Sequence, residues 1–184
     1  MTVAEIIHAC IQGNAHGQRQ LVNQFAPMLM TVCRRYASAN YGAQDILQDS
    51  FVKIFKAIEQ FDDSRGSFEG WMRKIAINTA LAQIRKHKIK INSDLEDHQN
   101  LLSIDPEIYK KLNAEELLKI IATLPEKYRI VFNLSCIEGF NHKEIAEMLD
   151  IEEASSRSNL SRAKLLLRKK ILANKKLTSW VRTG

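Results

Sequence analysis

Apolar residues recur along this chain at the three- and four-residue spacing of amphipathic helices, and nowhere in the strict alternation that marks a strand. In the first half, this pattern predicts helices over residues 3–12, 17–38, 42–61 and 67–88. In the second half, it predicts helices over residues 114–122, 125–137, 142–149 and 154–172. We therefore expect an all-α fold.

The periodicity is lost between the two halves, where Asn, Ser, Asp and Gln collect around Pro106. Such a polar stretch is typical of a linker between domains. The sequence thus predicts two small helical domains joined by a flexible acidic linker, and a basic C-terminal tail that we expect to be frayed. The predicted bounds are 1–90 for the first domain, 91–112 for the linker, 113–174 for the second domain and 175–184 for the tail.

Charge is distributed unevenly around a net value of +6. Residues 62–90 hold seven Lys/Arg against three acids, and residues 154–184 hold nine against none. Residues 91–153 between them carry six Lys/Arg against fourteen acids. Because binding to nucleic acid depends on local basic surfaces, the distribution predicts two separate ones. Solvated lysine faces are the alternative for either segment alone.

Several classes of protein are disfavoured by what the sequence lacks. The three cysteines are far apart and have no partner at zinc-finger spacing, so we expect neither a disulfide scaffold nor a metal or cofactor site. We find no signal peptide pattern and no apolar run near the roughly 20 residues of a membrane helix. A cytoplasmic protein is therefore expected.

The stretch from residue 142 to residue 172 has the form of a helix-turn-helix. Ile145, Ala146 and Leu149 share one face of a short helix, and Ile151 lies in the turn that follows. An ordinary helical hairpin is the alternative. The next helix has an apolar stripe at spacings of 3, 4 and 4, formed by Leu160, Ala163, Leu167 and Ile171.

Residues that suit DNA lie on the other side of this last helix. Arginine bonds guanine through two atoms, and serine reaches either phosphates or base edges. The residues near the start of the helix should meet the bases, as in other helix-turn-helix proteins. Which of them does so stays open, and Arg162 is equally suited to phosphate. The predicted set is Ser155, Arg157, Ser158, Ser161 and Arg162, with Lys164 at its flank.

The helix predicted over residues 42–61 has a core stripe of Leu47, Phe51, Ile54 and Ile58. Its other side combines acids, an amide and apolar residues, which is typical of a surface that contacts a protein. This side consists of Asp45, Gln48, Asp49 and Val52, with Phe55 at its edge. Taken alone, a solvated surface is the better interpretation.

A polar loop with aromatic and basic residues follows. Such groups beside a flexible loop suit unstacked bases and a single-stranded backbone. Phe68, Trp71 and Ile75 stand at spacings of 3 and 4, so core packing is the better interpretation of Trp71 in isolation.

The ordered set of these segments resembles the extracytoplasmic-function (ECF) group of bacterial RNA polymerase sigma factors across nearly the whole chain. The second domain is most similar to versions from Bacteroidetes-type bacteria. The matching segments are residues 41–51, 66–78, 124–129, 137–149 and 158–164.

The resemblance implies a minimal sigma factor with the second and fourth conserved domains of the family. A contact with core RNA polymerase is implied for Asp45, Gln48, Asp49, Val52 and Phe55. Recognition of the minus-ten element as melted non-template strand is implied for Arg65, Ser67, Phe68, Trp71, Lys74, Asn78 and Arg85. Recognition of the minus-thirty-five duplex is implied for Ser155, Arg157, Ser158, Ser161, Arg162 and Lys164. An anti-sigma factor is a further expected partner, because this group is often held inactive by one.

Two rival hypotheses belong to other classes. A helix-turn-helix regulator that binds DNA without polymerase needs no acidic contact face, and it explains neither the loop nor Trp71. An enzyme is disfavoured because the five histidines are scattered and no catalytic motif stands out. We therefore expect a protein that is not an enzyme.

Overall fold

The computed structural model describes residues 1–38, 41–86 and 114–181, with side chains placed for 115–173 in the last range. The chain divides into two compact units, Met1–Lys88 and Ile89–Gly184. Over the described residues the elements are helical and form no strand, so the all-α prediction is confirmed. The predicted linker, residues 91–112, lies outside the described part of the chain.

The described part of the first unit consists of four helices and two short 3₁₀ turns. Helices α2, α3 and α4 pack against one another, and α1 packs on α2. The helices are α1 (Val3–Ile11), α2 (Ala15–Tyr36), α3 (Ala43–Ala57) and α4 (Phe68–Lys86). The 3₁₀ turns span Ile58–Gln60 and Asp63–Arg65.

Local signals fix where the first two helices begin. The Oγ1 of Thr2 accepts a hydrogen bond from the Glu5 N–H, while the Glu5 carboxylate accepts one from the Thr2 N–H. The Oδ1 of Asn14 accepts from the first free N–H groups of α2. These bonds satisfy donors that a helix start leaves without partners, and they hold α1 and α2 on either side of a tight turn.

The core of the first unit differs in one element from the predicted stripe. In α3 the fully buried apolar residues are Ile46 and Ile54, whereas Leu47 is only half-buried. The predicted stripe omitted Ile46 because Leu47 fits the same spacing one residue later. The other three residues of the predicted stripe, Phe51, Ile54 and Ile58, are buried, so only its first position is corrected.

The second unit contains the helix-turn-helix. Its described helices are α5 (Ala114–Ala122), α6 (Glu126–Phe132), α7 (His142–Leu149) and α8 (Glu153–Val181), with a π-helical turn over Asn133–Ile137. Helices α6 and α7 both pack on α8. Among the residues that the structure describes, no helix is both long and apolar enough to cross a membrane.

Two boundaries of the second unit correct the prediction. The helix predicted over residues 125–137 changes after Phe132 into a π-helical turn, in which the Glu138 N–H bonds to the Asn133 carbonyl. The tail predicted to fray, residues 175–184, continues α8 as far as Val181. Its residues after Ile171 include Leu, Ala and Lys, all of which favour helix, so nothing in the sequence stops it there.

The turn of the helix-turn-helix is closed by Asp150, which adopts a left-handed backbone conformation with φ of 55°. An aspartate tolerates this conformation better than most residues, because its short polar side chain suits it. The N–H of the next residue, Ile151, bonds to the carbonyl of Ala146. The turn thereby passes directly from α7 into α8.

Candidate nucleic-acid interfaces

A cleft of about 550 Å³ opens in the first unit, at the start of α4. A cleft of this size admits a small planar group. The cleft brings together four of the predicted minus-ten residues, Arg65, Ser67, Trp71 and Lys74. Its other lining residues, Gln60, Phe61, Asp62, Gly66 and Gly70, were not predicted as site residues.

The loop beside this cleft is held by its own hydrogen bonds. The Oδ1 of Asp62 accepts from both the N–H and the hydroxyl of Ser64, at 3.0 and 2.6 Å. These two bonds, with a smaller contribution from nearby Arg65, lower the pKa of the Asp62 carboxyl below its ordinary value. Gly66 follows with φ of 138°, a conformation that favours glycine. The spacing of Asp62 and Ser64 is a known turn signal, from which this geometry was predictable.

Ser67 caps the start of α4. Its Oγ accepts a hydrogen bond from the Gly70 N–H at 3.1 Å. A methyl group on Gly70 would lie 3.1 Å from the same Oγ, closer than most real contacts. The absence of a side chain on Gly70 thus leaves room beside the Ser67 hydroxyl at the wall of the cleft.

An aromatic cluster forms the floor of the cleft. Trp71 is half-buried and packs against Phe61 and Phe68, each with ring centroids 5.6 Å from its own. Phe68 also contacts Phe25 of α2 edge-to-face. The cluster therefore joins the core to the cleft, because Phe61 and Trp71 both line the cleft, are half-buried and contact the buried Phe68.

Phe68 and Ser155 were predicted to contact DNA, and the structure buries both. Phe68 is 4% exposed, because its ring fills the space between α2 and the aromatic cluster. Ser155 is 8% exposed in the first turn of α8. Neither side chain offers a surface to a ligand in this conformation, so we leave both out of the interfaces proposed below.

The remaining predicted residues of α4 are accessible. Lys74, Asn78 and Arg85 are exposed and follow Trp71 along the helix at positions that share one side of it. Their side therefore extends from the cleft toward the end of α4.

In the second unit, the predicted inward stripe of α8 is confirmed. Leu160 is 8% exposed, and Ala163, Leu167 and Ile171 are fully buried. Apart from the buried Ser155, the predicted DNA-contacting residues are accessible to different degrees. Arg157 is exposed, and the other four are half-buried: Ser158, Ser161, Arg162 and Lys164.

Arg157 forms an ion pair with Glu153, four residues earlier in α8. The two side chains are 59% and 42% exposed, so the pair adds little to stability. It holds the guanidinium near the start of the helix. Glu153 was missed, although an acid and a base at this spacing are a recognised helix pair.

A hydrogen bond joins the two helices of the helix-turn-helix. Nδ1 of His142, at the start of α7, lies 2.9 Å from Oγ of the fully buried Ser156. Burial and the nearby cations Arg157 and Lys164 lower the pKa of His142, against a smaller opposing effect from Glu153. The spacing of His142 and Ser156 gave no sign of this contact, which depends on how α7 and α8 cross.

The acidic face of α3 lies as predicted on the exposed side of that helix. Asp45, Gln48, Asp49 and Val52 are exposed, with Val52 at 52%, and Phe55 is half-buried at the edge. The carboxylate of Asp45 accepts a hydrogen bond from the Gly42 N–H at 3.1 Å. The carboxylate of Asp49 accepts one from the Gln83 amide at 2.9 Å.

The helix-turn-helix defines the class, a helical DNA-binding protein. Two family models match most of the chain: Sigma-70 region 2 matches residues 21–89 and Sigma-70 region 4 matches residues 114–167. The chain belongs to the sigma-70 family, and it is a sigma factor of the ECF type. Sigma factors are initiation factors that do not catalyse the reaction themselves.

The curated relatives are similar at moderate identity. The ECF RNA polymerase sigma factor SigE of Mycolicibacterium smegmatis is 28% identical over 155 residues, which are 81% of this chain and 59% of that protein. The ECF RNA polymerase sigma-E factor of Haemophilus influenzae is 26% identical over 188 residues, covering 93% of this chain and 96% of that one. Among solved structures, the sigma factor RpoE in complex with the anti-sigma factor NepR from Bartonella quintana aligns with a TM-score of 0.49 and 21% identity, covering 84% and 96%.

Proposed function

We propose a division of labour between the two units of this ECF sigma factor, which binds core RNA polymerase and directs promoter-specific initiation. The first unit holds the polymerase through α3 and captures melted minus-ten DNA at the start of α4. The second unit places α8 in the major groove of the minus-thirty-five element. The observation that carries this proposal is the cleft shared by Arg65, Ser67, Trp71 and Lys74.

The cleft suits an unstacked base for chemical reasons. Trp71 offers part of an indole ring for stacking, which is tolerant of base identity, while Arg65 and Lys74 offer cations to the backbone. Asn78 and Arg85 continue the same side of α4 for further nucleotides. Duplex DNA hides its base faces, so this arrangement favours a strand that has already separated.

On α8, the duplex contact is assigned to exposed or half-buried groups near its start. Arg157 reaches from the first turns of the helix, where a helix-turn-helix enters the major groove. Ser158, Ser161 and Arg162 lie around it, and Lys164 flanks them. A helix-turn-helix regulator would use the same α8, but the cleft in the first unit would then have no role.

The acidic face of α3, Asp45, Gln48, Asp49, Val52 and Phe55, is proposed as the polymerase contact. Exposed acids beside apolar residues fit a basic partner surface with an apolar component. An anti-sigma factor is a further proposed partner that would cover these surfaces.

We also propose a cytoplasmic location and no catalytic activity, in keeping with a factor that acts on DNA and polymerase. We also propose that the second unit is of the Bacteroidetes type, on the basis of the amino-acid sequence of residues 137–149.

Reconstituted transcription tests the function. Purified protein is added to core polymerase with a pool of genomic promoter fragments, and specific transcripts are sequenced. We expect start sites that core polymerase alone does not use. If specific transcripts never exceed those of core alone, the protein does not direct initiation.

The Asp49→Arg variant tests the polymerase contact. It reverses a charge at the centre of the α3 face, so we expect roughly tenfold or greater weakening of core binding with an unchanged fold. Glu59→Arg is the matched control, because Glu59 is an exposed acid outside the proposed face. Equal affinities of both variants for core polymerase would contradict the assignment.

A further inference from the structure

The hydrogen bond between Gln83 and Asp49 connects α4 to the acidic face of α3. The Nε2 of Gln83 donates to Oδ2 of Asp49 at 2.9 Å, across 34 residues of sequence. Asp49 is exposed and Gln83 is half-buried. The acidic face thus receives a contact from the helix that carries the cleft.

The two carboxylates of the acidic face are held in different ways. Asp45 accepts its bond from Gly42, at the start of its own helix, so that bond is local to α3. Asp49 is held instead by a side chain of another helix. Its position therefore depends on how α3 and α4 pack.

Both ends of this bond are attached to rigid backbone. The neighbour of Asp49, Ser50, is fully buried and donates its hydroxyl to the Ile46 carbonyl at 2.6 Å. The neighbour of Gln83, Ile84, is also fully buried. Since the two backbones are fixed in the core, the bond limits the rotamers of Asp49 without moving either helix.

A fixed carboxylate is a better binding group than a mobile one. An exposed aspartate that orders only on binding loses side-chain entropy at that moment. The bond from Gln83 removes part of that loss beforehand, and it occupies one carboxylate oxygen while the other remains for a partner cation. The amide is neutral, so it adds no charge to the acidic face.

We infer that Gln83 is a positioning residue for the polymerase contact, which holds the Asp49 carboxylate in the orientation that core polymerase binds. This inference rests on the proposed function of the α3 face. It adds to the contact a residue of α4 that belongs to neither the cleft nor the acidic face. Polymerase binding and the placement of α4 are then linked through one side chain.

A double-mutant cycle on binding to core polymerase tests the inference. Gln83→Met removes the amide donor and keeps the length of the side chain, and Asp49→Ala removes the acceptor. The cycle compares wild type, both single variants and the double variant by fluorescence titration of full-length protein. Gln24→Met, at an exposed position of α2, is the matched control for a Gln-to-Met change.

We expect Gln83→Met to weaken core binding roughly threefold to tenfold, about the net contribution of one ordinary hydrogen bond. In the Asp49→Ala background the same change should have no effect. Gln83→Glu should weaken binding further than Gln83→Met, because it sets a second carboxylate against Asp49. Gln24→Met should bind as wild type does.

Three outcomes would overturn the inference. Equal weakening by Gln83→Met in both backgrounds would show that Gln83 acts independently of Asp49. Unchanged binding of Gln83→Met, with circular dichroism and thermal midpoint like wild type, would show that the bond has no role in the contact. Unchanged binding of Asp49→Ala would show that the carboxylate being positioned has no part in the contact. In that case, normal promoter-specific initiation by wild type would leave the proposed function standing.

Discussion

Helices α4 and α8 both carry residues that we propose contact DNA, but they combine support and recognition differently. Helix α4 is buried on most of its circumference, between α2 and α3, and its recognition residue Trp71 is also part of the core cluster. Helix α8 buries one stripe and presents Arg157 on another side. In α4 one side chain serves both purposes, whereas in α8 the two purposes belong to different residues.

This difference follows from the kind of DNA that each helix is proposed to meet. A separated base needs a ring to stack on and a cleft to enter, and both are built most readily where aromatic residues already pack. A duplex needs side chains that extend from one exposed side of a helix into a groove. The comparison predicts that substitution of Trp71 in α4 affects folding and DNA binding together, while substitution of Arg157 in α8 affects binding alone.

The largest effect is expected for Trp71→Ala. Loss of the half-buried ring should destabilise the first unit by roughly 2 kcal/mol, less than the loss of a fully buried tryptophan. Promoter opening by the reconstituted holoenzyme should weaken by about 1–3 kcal/mol as well, the value of stacking on one base. Denaturant unfolding and open-complex formation measure the two losses.

Trp71→Phe is the matched control for this variant, because it keeps an aromatic ring in the cluster. It should restore most of both losses. If Trp71→Ala instead had the stability of wild type and opened promoters poorly, α4 would separate support from recognition as α8 does. That result would break the comparison.

A smaller and purely functional effect is expected for Arg157→Ala. If Arg157 pairs with a base, specific duplex binding should weaken by about 1–3 kcal/mol and the preference at that base pair should relax. Stability should change by less than about 0.5 kcal/mol, since the ion pair with Glu153 is exposed. Binding to a library of minus-thirty-five duplexes measures affinity and preference together.

Lys169→Ala is the control for that experiment, because Lys169 is an exposed basic residue on the same helix that is not among the proposed DNA-contacting residues. It should leave sequence preference unchanged. Equal weakening of Arg157→Ala on every duplex would instead assign Arg157 to phosphate.

The smallest effect is a pH dependence from His142. Its pKa in the folded chain lies below its ordinary value of 6.5, chiefly through burial. The unfolded chain therefore binds the proton more readily, so stability from this group is complete above pH 6.5 and is lost as the pH falls toward the folded pKa. Thermal unfolding between about pH 7.5 and about pH 5 should show the second unit weakening at the acidic end.

His142→Gln removes the titrating group and should flatten that part of the profile. The charged groups that face His142 are Arg157, Glu153 and Lys164, and Ser156 is its hydrogen-bond partner. If the variant and wild type lose stability equally over the same range, the dependence comes from another group.

The sequence predicted the elements of the fold well, because burial along α8 and α3 follows helical periodicity closely. It did not predict the π-helical turn at Asn133, nor the burial of Ile46 in place of Leu47, since both residues fit the apolar pattern. Both depend on how neighbouring helices fill space. Periodicity gives the side of a helix that is buried, but not the details of its packing.

The candidate sites were predicted to a similar extent. The exposure of charged residues such as Lys74, Asp49 and Arg157 agrees with the prediction, because residue type and helical position suffice for it. Phe68 was predicted to be accessible but is buried. An aromatic residue beside a loop is suited either to packing in a core or to contacting a ligand, and the sequence does not distinguish the two. Gln83 was missed altogether, because contacts between helices leave no signal in local spacing.

The packing of α1 on α2 has a consequence for how this chain can vary. A methyl group at Gly17 would lie 2.5 Å from Cβ of Ala9, so the two helices touch where neither has more than a minimal side chain. Polarity is irrelevant at such a position, since distance alone excludes every residue larger than glycine. Gly17 can therefore gain a side chain only if α1 and α2 move apart, which makes this glycine a mark by which related chains with the same helix spacing would be recognised.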